Sequence, residues 1–239
     1  MEKSTIIVAV DGPSGAGKST IGKMLARMLK ALYIDTGAMY RAVALAALEA
    51  GIDTSEEDAV AQVARRSRIA LQGEPAMLRV MLDDRDVTDL IRTDEVTRAS
   101  SVISAIPEVR RILVERQREM GREGSVVMDG RDIGTVVFPQ ADFKFFLTAK
   151  PEKRALRRFE EELERSSGVS YSATLEDIIT RDKRDSSRAD SPLTPASDAT
   201  IIDSTDISLD QVLEQMLEEI RKRNEIAKNA ESPAQLTDY

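Results

Sequence analysis

Residues 12–19 read GPSGAGKS, and each fixed position of the pattern G-x-x-x-x-G-K-[ST] is filled. Glycines at this spacing let the backbone curl until successive N–H groups face one anion, and a following helix start adds its dipole. Lys18 would reach the outer phosphates of a nucleoside triphosphate, and the Ser19 hydroxyl would ligate Mg²⁺. The expected donor-binding set is therefore Gly12, Pro13, Ser14, Gly15, Ala16, Gly17, Lys18, Ser19 and Thr20. A Gly-rich turn with an incidental lysine is the weaker reading, because an apolar strand precedes the loop and an amphipathic helix follows it.

The second chemical resource is arginine. Arg131, Arg154, Arg157, Arg158, Arg165, Arg181, Arg184 and Arg188 fall within one stretch, with Arg41 and Arg110 earlier. A planar guanidinium suits bidentate contact with phosphate oxygens. For Arg154, Arg157, Arg158 and Arg165, pairing with neighbouring glutamates of FEEELER is an equal alternative. In RDKRDSSRAD (181–190), Arg181, Arg184, Asp185 and Arg188 share one helical face, whereas Asp182 and Lys183 point to solvent. Among acids that close apolar strands, Asp129 stands either beside a Mg²⁺-bound water or as a turn residue before Gly130. Asp35 is placed similarly or orients Thr36, and Asp203 reads as structural.

Composition narrows the chemistry. The chain of 239 residues has no Cys and no His, so thiolate and Ser-His catalysis are excluded. A kinase acting on an alcohol benefits from a carboxylate base. A phosphate acceptor needs none, since its second pKa is about 6 and the attacking oxygen is already anionic. The N-K-x-D signature of guanine-reading switches does not occur. A formal charge of −8 disfavours nucleic-acid binding. No apolar run approaches a membrane span and no export signal is read, so a cytoplasmic protein without membrane or nucleic-acid partners is expected, a monomer by default.

Positioning these residues requires alternating strands and helices, hence an α/β fold with a parallel sheet. Strands are expected at TIIVAV (5–10), ALYID (31–35), SVVMD (125–129), DFKFFLT (142–148) and ATIID (199–203). Ile21, Leu25, Met28 and Leu29 mark one apolar helix face after the loop. A helix runs from about Ala38 to Glu49 and stops at Gly51. Ser55 with Asp58 starts another, reaching about Arg66. RIAL (68–71), AMLRVML (76–82) and Val87–Thr88 read as a small antiparallel meander. Pro107 opens a helix closed by Gly121 or Gly124, Pro151 one to about Ser166, and Thr174 caps the one holding 181–188. Ser208 and Gln211 form a capping box before a face of Leu209, Val212, Leu213, Met216, Leu217 and Ile220.

IDTGAMYRAVAL (34–45), DGRDIGTVVFPQA (129–141) and RDKRDSSRADSPLTPASDATIIDST (181–205) resemble the bacterial-type cytidylate kinases, from about Ile6 to Ile220. The resemblance implies a P-loop kinase core over 1–229 with a parallel five-stranded sheet, a monophosphate-binding insertion at about 52–94 and a lid at about 150–170; the polar, aperiodic residues that follow read as a flexible tail over 230–239. It implies transfer of the γ-phosphoryl of ATP to CMP or dCMP with Mg²⁺. Thr36 and Arg41 would hold the acceptor phosphate, joined by Arg131 and Arg188. Ser101, Arg110 and Asp132 would read cytosine, and Arg181 and Asp185 would contact the pentose. Lys18, Arg131, Arg188 and Arg184 would carry catalysis, Arg184 either serving the transferring group or flanking it. Ser19 and Asp129 would serve the metal. The chemistry agrees: a carboxylate suits the N4 amino group of cytosine, and donors suit N3 and O2. Thr36 stands where related enzymes can carry Ser; it keeps the hydroxyl. The rival readings are a UMP-directed kinase and a non-catalytic nucleotide-binding regulator.

Overall fold

The computed structural model describes residues 5–122, 124–164 and 170–230. Arg165, with residues 165–169 of the expected lid, and residues 231–239 of the expected tail lie outside these.

Five short strands, β1 (Ile7–Asp11), β2 (Leu32–Asp35), β6 (Val126–Gly130), β7 (Phe143–Thr148) and β8 (Thr200–Asp203), form one parallel sheet in the order β2-β6-β1-β7-β8. Alternation along them feeds two cores. Ala9, Ile34, Val126 and Met128 face α2 (Thr36–Glu49), α3 (Glu57–Arg66), α4 (Asp94–Ile103) and α5 (Pro107–Met120). Val8, Val10, Tyr33 and Val127 face α1 (Lys18–Leu29) and α8 (Leu209–Ala230). Burial on both faces is why these strands are nearly all apolar. The Ser208–Gln211 capping box forms in both directions, at 2.8 and 3.2 Å. Val212, Met216 and Ile220 are buried below it as their spacing requires.

The insertion carries an antiparallel sheet, β3 (Ile69–Gln72), β4 (Arg79–Leu82) and β5 (Arg85–Asp86). Asp83 and Asp84 both adopt positive φ, 48° and 67°, as a two-residue hairpin turn between right-twisted strands demands. The third strand is thus two residues earlier than Val87–Thr88. Thr88 leaves the ladder because its hydroxyl accepts from Val80 N at 2.9 Å and donates to Asp86.

Several local expectations are corrected. Met28 is exposed rather than part of the apolar face of α1. Ser55 bonds Asp53 in a turn and does not cap α3. The helix α7 (Tyr171–Ser186) is capped by Ser170, whose oxygen accepts from Ala173 N, while Thr174 is buried one turn inside. The helix α2 begins at Thr36, two residues before Ala38, because Asp35 caps it. The helix α4 was not anticipated; Thr93 caps it and its Ser-rich face is buried. The helix α6 spans Pro151–Glu164 and packs on α7.

Candidate active site

The functional residues gather where the parallel strands end, the usual ligand crevice of such a sheet. After β1, Gly12 has φ +147°, and a Cβ there would stand 1.9 Å from the Leu147 carbonyl oxygen. Only glycine passes. Gly17 is left-handed at the N-cap of α1 and supplies no side-chain cap, so the first N–H groups of the helix stay open to an anion. Lys18 is buried and folded back, donating from Nζ to Pro13 O at 2.7 Å. Burial, and then the neighbouring Arg131 charge, push its pKa well below the lysine range.

Asp129, near the end of β6, between β2 and the central strand β1, is a hub. Its Oδ2 accepts from Ser19 Oγ at 2.9 Å, its Oδ1 from Tyr33 Oη at 3.0 Å, and its backbone oxygen from Thr36 Oγ1 at 2.8 Å. Burial, and then Asp35, raise its pKa to about 6. A cation beside it would relieve that cost. Ser19 Oγ and Asp129 Oδ2 fit Mg²⁺, which characteristically takes few protein ligands and completes its shell with substrate phosphates and water. Among the described residues no cluster of three or more His, Cys, Asp or Glu forms a self-sufficient cage. Asp35 is otherwise engaged. Its Oδ1 accepts from Ala38 N at 2.8 Å and its Oδ2 pairs with Arg41 at 3.1 Å. Burial opposes its charge, but Arg41 and the cap hold its carboxyl below the usual range.

The arginine row of α7 faces this crevice. Asp185, fully buried, receives Arg131 Nε at 2.9 Å and Arg188, with Arg181 Nε 4.0 Å away. Three guanidinium groups around one carboxylate leave positive charge unmatched. Burial, and then Arg131, lower the pKa of Arg181 to about 9. The Nε atoms of Arg41, Arg110, Arg181 and Arg188 are buried with no hydrogen-bond partner among the described residues. Unpaired buried donors are costly, and phosphate oxygens are the acceptors they fit. Beside them, Arg110 pairs with Asp132 and donates to Ser104 O at 3.1 Å, and Arg184 donates to Ser101 Oγ at 2.6 Å. Of the residues anticipated from the sequence, Lys18, Ser19 and Thr20 open α1, Thr36 and Arg41 lie on α2, Ser101 on α4 and Arg110 on α5, Asp129 on β6 with Arg131 and Asp132 just after it, and Arg181, Arg184 and Asp185 on α7 with Arg188 just beyond.

Four features were missed or misread. Asp182 does not point to solvent. It grips Arg154 through Oδ1 at 3.0 Å and Oδ2 at 2.6 Å, and Arg154 also donates to Ser14 O at 3.1 Å, inside the phosphate loop. Arg154 therefore pairs with α7 rather than with the glutamates of its own helix, and Arg157 bonds Ser204, whose hydroxyl reaches Ala16 O at 3.2 Å. Ser104 was not singled out, yet its Oγ accepts from Arg188 at 2.9 Å. Asp11 was also overlooked. Its oxygens accept from Ile133 N at 2.8 Å and Gly134 N at 2.7 Å, pinning the π-helical turn Ile133–Val137 that follows Arg131 and Asp132. Burial raises its pKa to about 7. The signal for Asp11 was present, since it too is an acid closing an apolar strand.

Fold and loop together define a P-loop phosphoryl-transfer protein. A shikimate kinase from Bacteroides thetaiotaomicron shares the fold, with a TM-score of 0.50 at 13% identity, covering 91% of this chain and 99% of that one. The cytidylate kinase family model matches residues 8–222, and the chain belongs to that family. It is 51% identical to the cytidylate kinase of Caldanaerobacter subterraneus subsp. tengcongensis over 91% of this chain and 96% of that protein. It is 43% identical to the cytidylate kinase of Bacillus subtilis over 94% of this chain and the whole of that protein. No described helix is long and apolar enough to cross a membrane.

Proposed function

We propose that this chain transfers the γ-phosphoryl group of ATP to CMP or dCMP, giving ADP and CDP or dCDP. The observation that carries the reading is the juxtaposition of two anion sites on neighbouring strands. Asp11 and Gly130 are register partners of β1 and β6, so the donor loop and the Arg131 turn leave the sheet side by side. One site is the open amide nest with Lys18; the other is the arginine set with unpaired donors.

In this mechanism Lys18 leaves Pro13 O for the β- and γ-phosphates of the donor, and the loop amides hold the chain of phosphates. Thr36, Arg41, Arg131 and Arg188 bind the acceptor phosphate, and Arg181 with Asp185 orients the pentose. The attacking oxygen is already anionic, so no residue need act as a base. The protein's task is electrostatic: Lys18, Arg131, Arg188 and Arg184 offset the mutual repulsion of the phosphates as they approach in line. Ser19 and Asp129 would hold Mg²⁺, which when bound would supply further neutralisation of the donor's phosphate charge. Ser101, Arg110 and Asp132 select cytosine. Uracil would present O4 to Asp132 and N3–H to Arg110, pairing like with like. Residues 52–94 would act as the monophosphate-binding insertion and 150–170 as a lid that excludes water, within one domain over 1–229.

The test is a panel of CMP, dCMP, UMP, AMP and GMP with ATP and Mg²⁺, following ADP formation for the wild type and Lys18→Ala. Turnover confined to CMP and dCMP, falling by a factor on the order of 10² or more in the variant, supports the reading. Comparable kcat/KM for UMP would sink the base-reading assignment, and unaltered turnover by the variant would remove Lys18 from the chemistry.

A further inference from the structure

Five guanidinium nitrogens are buried without a hydrogen-bond partner among the described residues, and four belong to the crevice described above. The fifth is Arg116 Nη1. Arg116 follows Arg110 by six positions on α5, which is about 240° around the helix, so it serves a different face. It lines a cavity of about 560 Å³ between the end of α3, the β3–β4 hairpin and α5, within the size range of small-ligand pockets. No residue assigned above to the nucleotides borders this cavity.

Its wall has the chemistry of an anion site with an apolar floor. Arg65, Arg66, Arg68 and Arg116 contribute four guanidinium groups against the carboxylates of Asp84 and Glu119, while Met81 and Met120 supply apolar surface. The pairs Arg65–Glu108 and Arg68–Asp84 lie at the exposed rim, where solvent makes them weak and exchangeable. Arg116 is the anchor. Its Nη2 donates to Arg65 O at 3.0 Å, and burial lowers its pKa below the arginine norm, a cost that an acceptor anion would offset. Its unpartnered Nη1 is covered from water, as are those in the crevice, and would meet a ligand in the cavity on rotation of the guanidinium.

We propose that this cavity is a second ligand site, separate from the nucleotide crevice, that takes a phosphate monoester carrying an apolar body. The phosphate fits the planar forks of Arg116 and its neighbours, and the apolar portion lies on the methionines. Nothing in the proposal depends on the reaction assigned to the crevice.

The test uses 1-naphthyl phosphate as the probe, read by its own fluorescence; the chain has no Trp to interfere. Saturable binding to the full chain is expected. It should persist in Arg131→Met, which alters only the crevice, and weaken about tenfold or more in Arg116→Met, the loss of one charge-assisted hydrogen bond. Arg68→Glu changes an exposed rim position without disturbing the core and should weaken binding similarly. The proposal is overturned by absence of saturable binding, by loss in Arg131→Met alone, or by indifference to both Arg116→Met and Arg68→Glu. Equal affinity for 1-naphthol would likewise overturn it, since the anion would then contribute nothing.

Discussion

Asp132 and Arg110 face each other as a buried pair, so substitution at either acts on a desolvated group rather than on a solvent-screened one. Asp132→Asn turns an acceptor-only group into one that can rotate a donor toward the base. The kcat/KM preference for CMP over UMP should fall by about tenfold or more, read from paired kinetics with both acceptors. An unchanged ratio would place base selection elsewhere. Asp11 gives a prediction in pH. Burial holds its folded pKa at about 7, above the ordinary 3.8 of the unfolded chain. Between those values the unfolded chain binds fewer protons than the folded one, so this group's contribution to stability falls as pH rises and levels off above about 7. Asp11→Asn cannot titrate. Its melting temperature should therefore gain on that of the wild type as pH is raised from about 5 to 8. A constant difference across that range would refute the placement of Asp11 as a buried, proton-retaining carboxyl.

At the scale of elements, the phosphate loop is braced from outside by α6 and α7. Arg154 joins Ser14 O to Asp182, so one side chain ties the loop to both helices. Asp182→Asn removes the charge that holds Arg154, and KM for ATP should rise several-fold while KM for CMP changes less. Equal effects on both constants would argue for a general loss of fold. How much of this was readable in the sequence follows from the range of the signals. Each sheet strand and the Ser208–Gln211 box are local patterns and lie close to their expected positions. The row Arg181, Arg184, Asp185 and Arg188 was readable because helical spacing alone puts those residues on one face. Asp182 was misread for the complementary reason: its partner lies 28 residues away, and no periodicity announces that contact. The helix α4 escaped notice because Ser and Thr weaken a helical pattern, and only burial against α2 decides its conformation. The cap of α7 was misplaced at Thr174: Ser170, one turn earlier, also carries a hydroxyl, and where the chain enters the helix decides between them.

For the whole molecule, the notable contrast is between a formal charge of −8 and a cationic crevice lined by Lys18, Arg41, Arg131, Arg181 and Arg188. An acidic exterior repels nucleotides at long range while the crevice attracts them at short range. Added salt screens the crevice's attraction only where solvent reaches it. KM for CMP should rise as ionic strength goes from about 0.05 to 0.5 M, with kcat less affected. A parallel collapse of kcat would mean that salt disturbs the fold. The adjacency of β1 and β6 bears on how such a chain can be altered. Neighbouring strands lie about 4.8 Å apart wherever peptide hydrogen bonds join them. The interval between the phosphate loop after Asp11 and the Arg131 turn after Gly130 is therefore set by backbone pairing, not by side chains. The residues proposed to choose the acceptor, Ser101 on α4, Arg110 on α5 and Asp132, can be exchanged while that interval stays put. A redesign for a different base would inherit that spacing intact, and the proposed base-reading residues are the ones to be written anew.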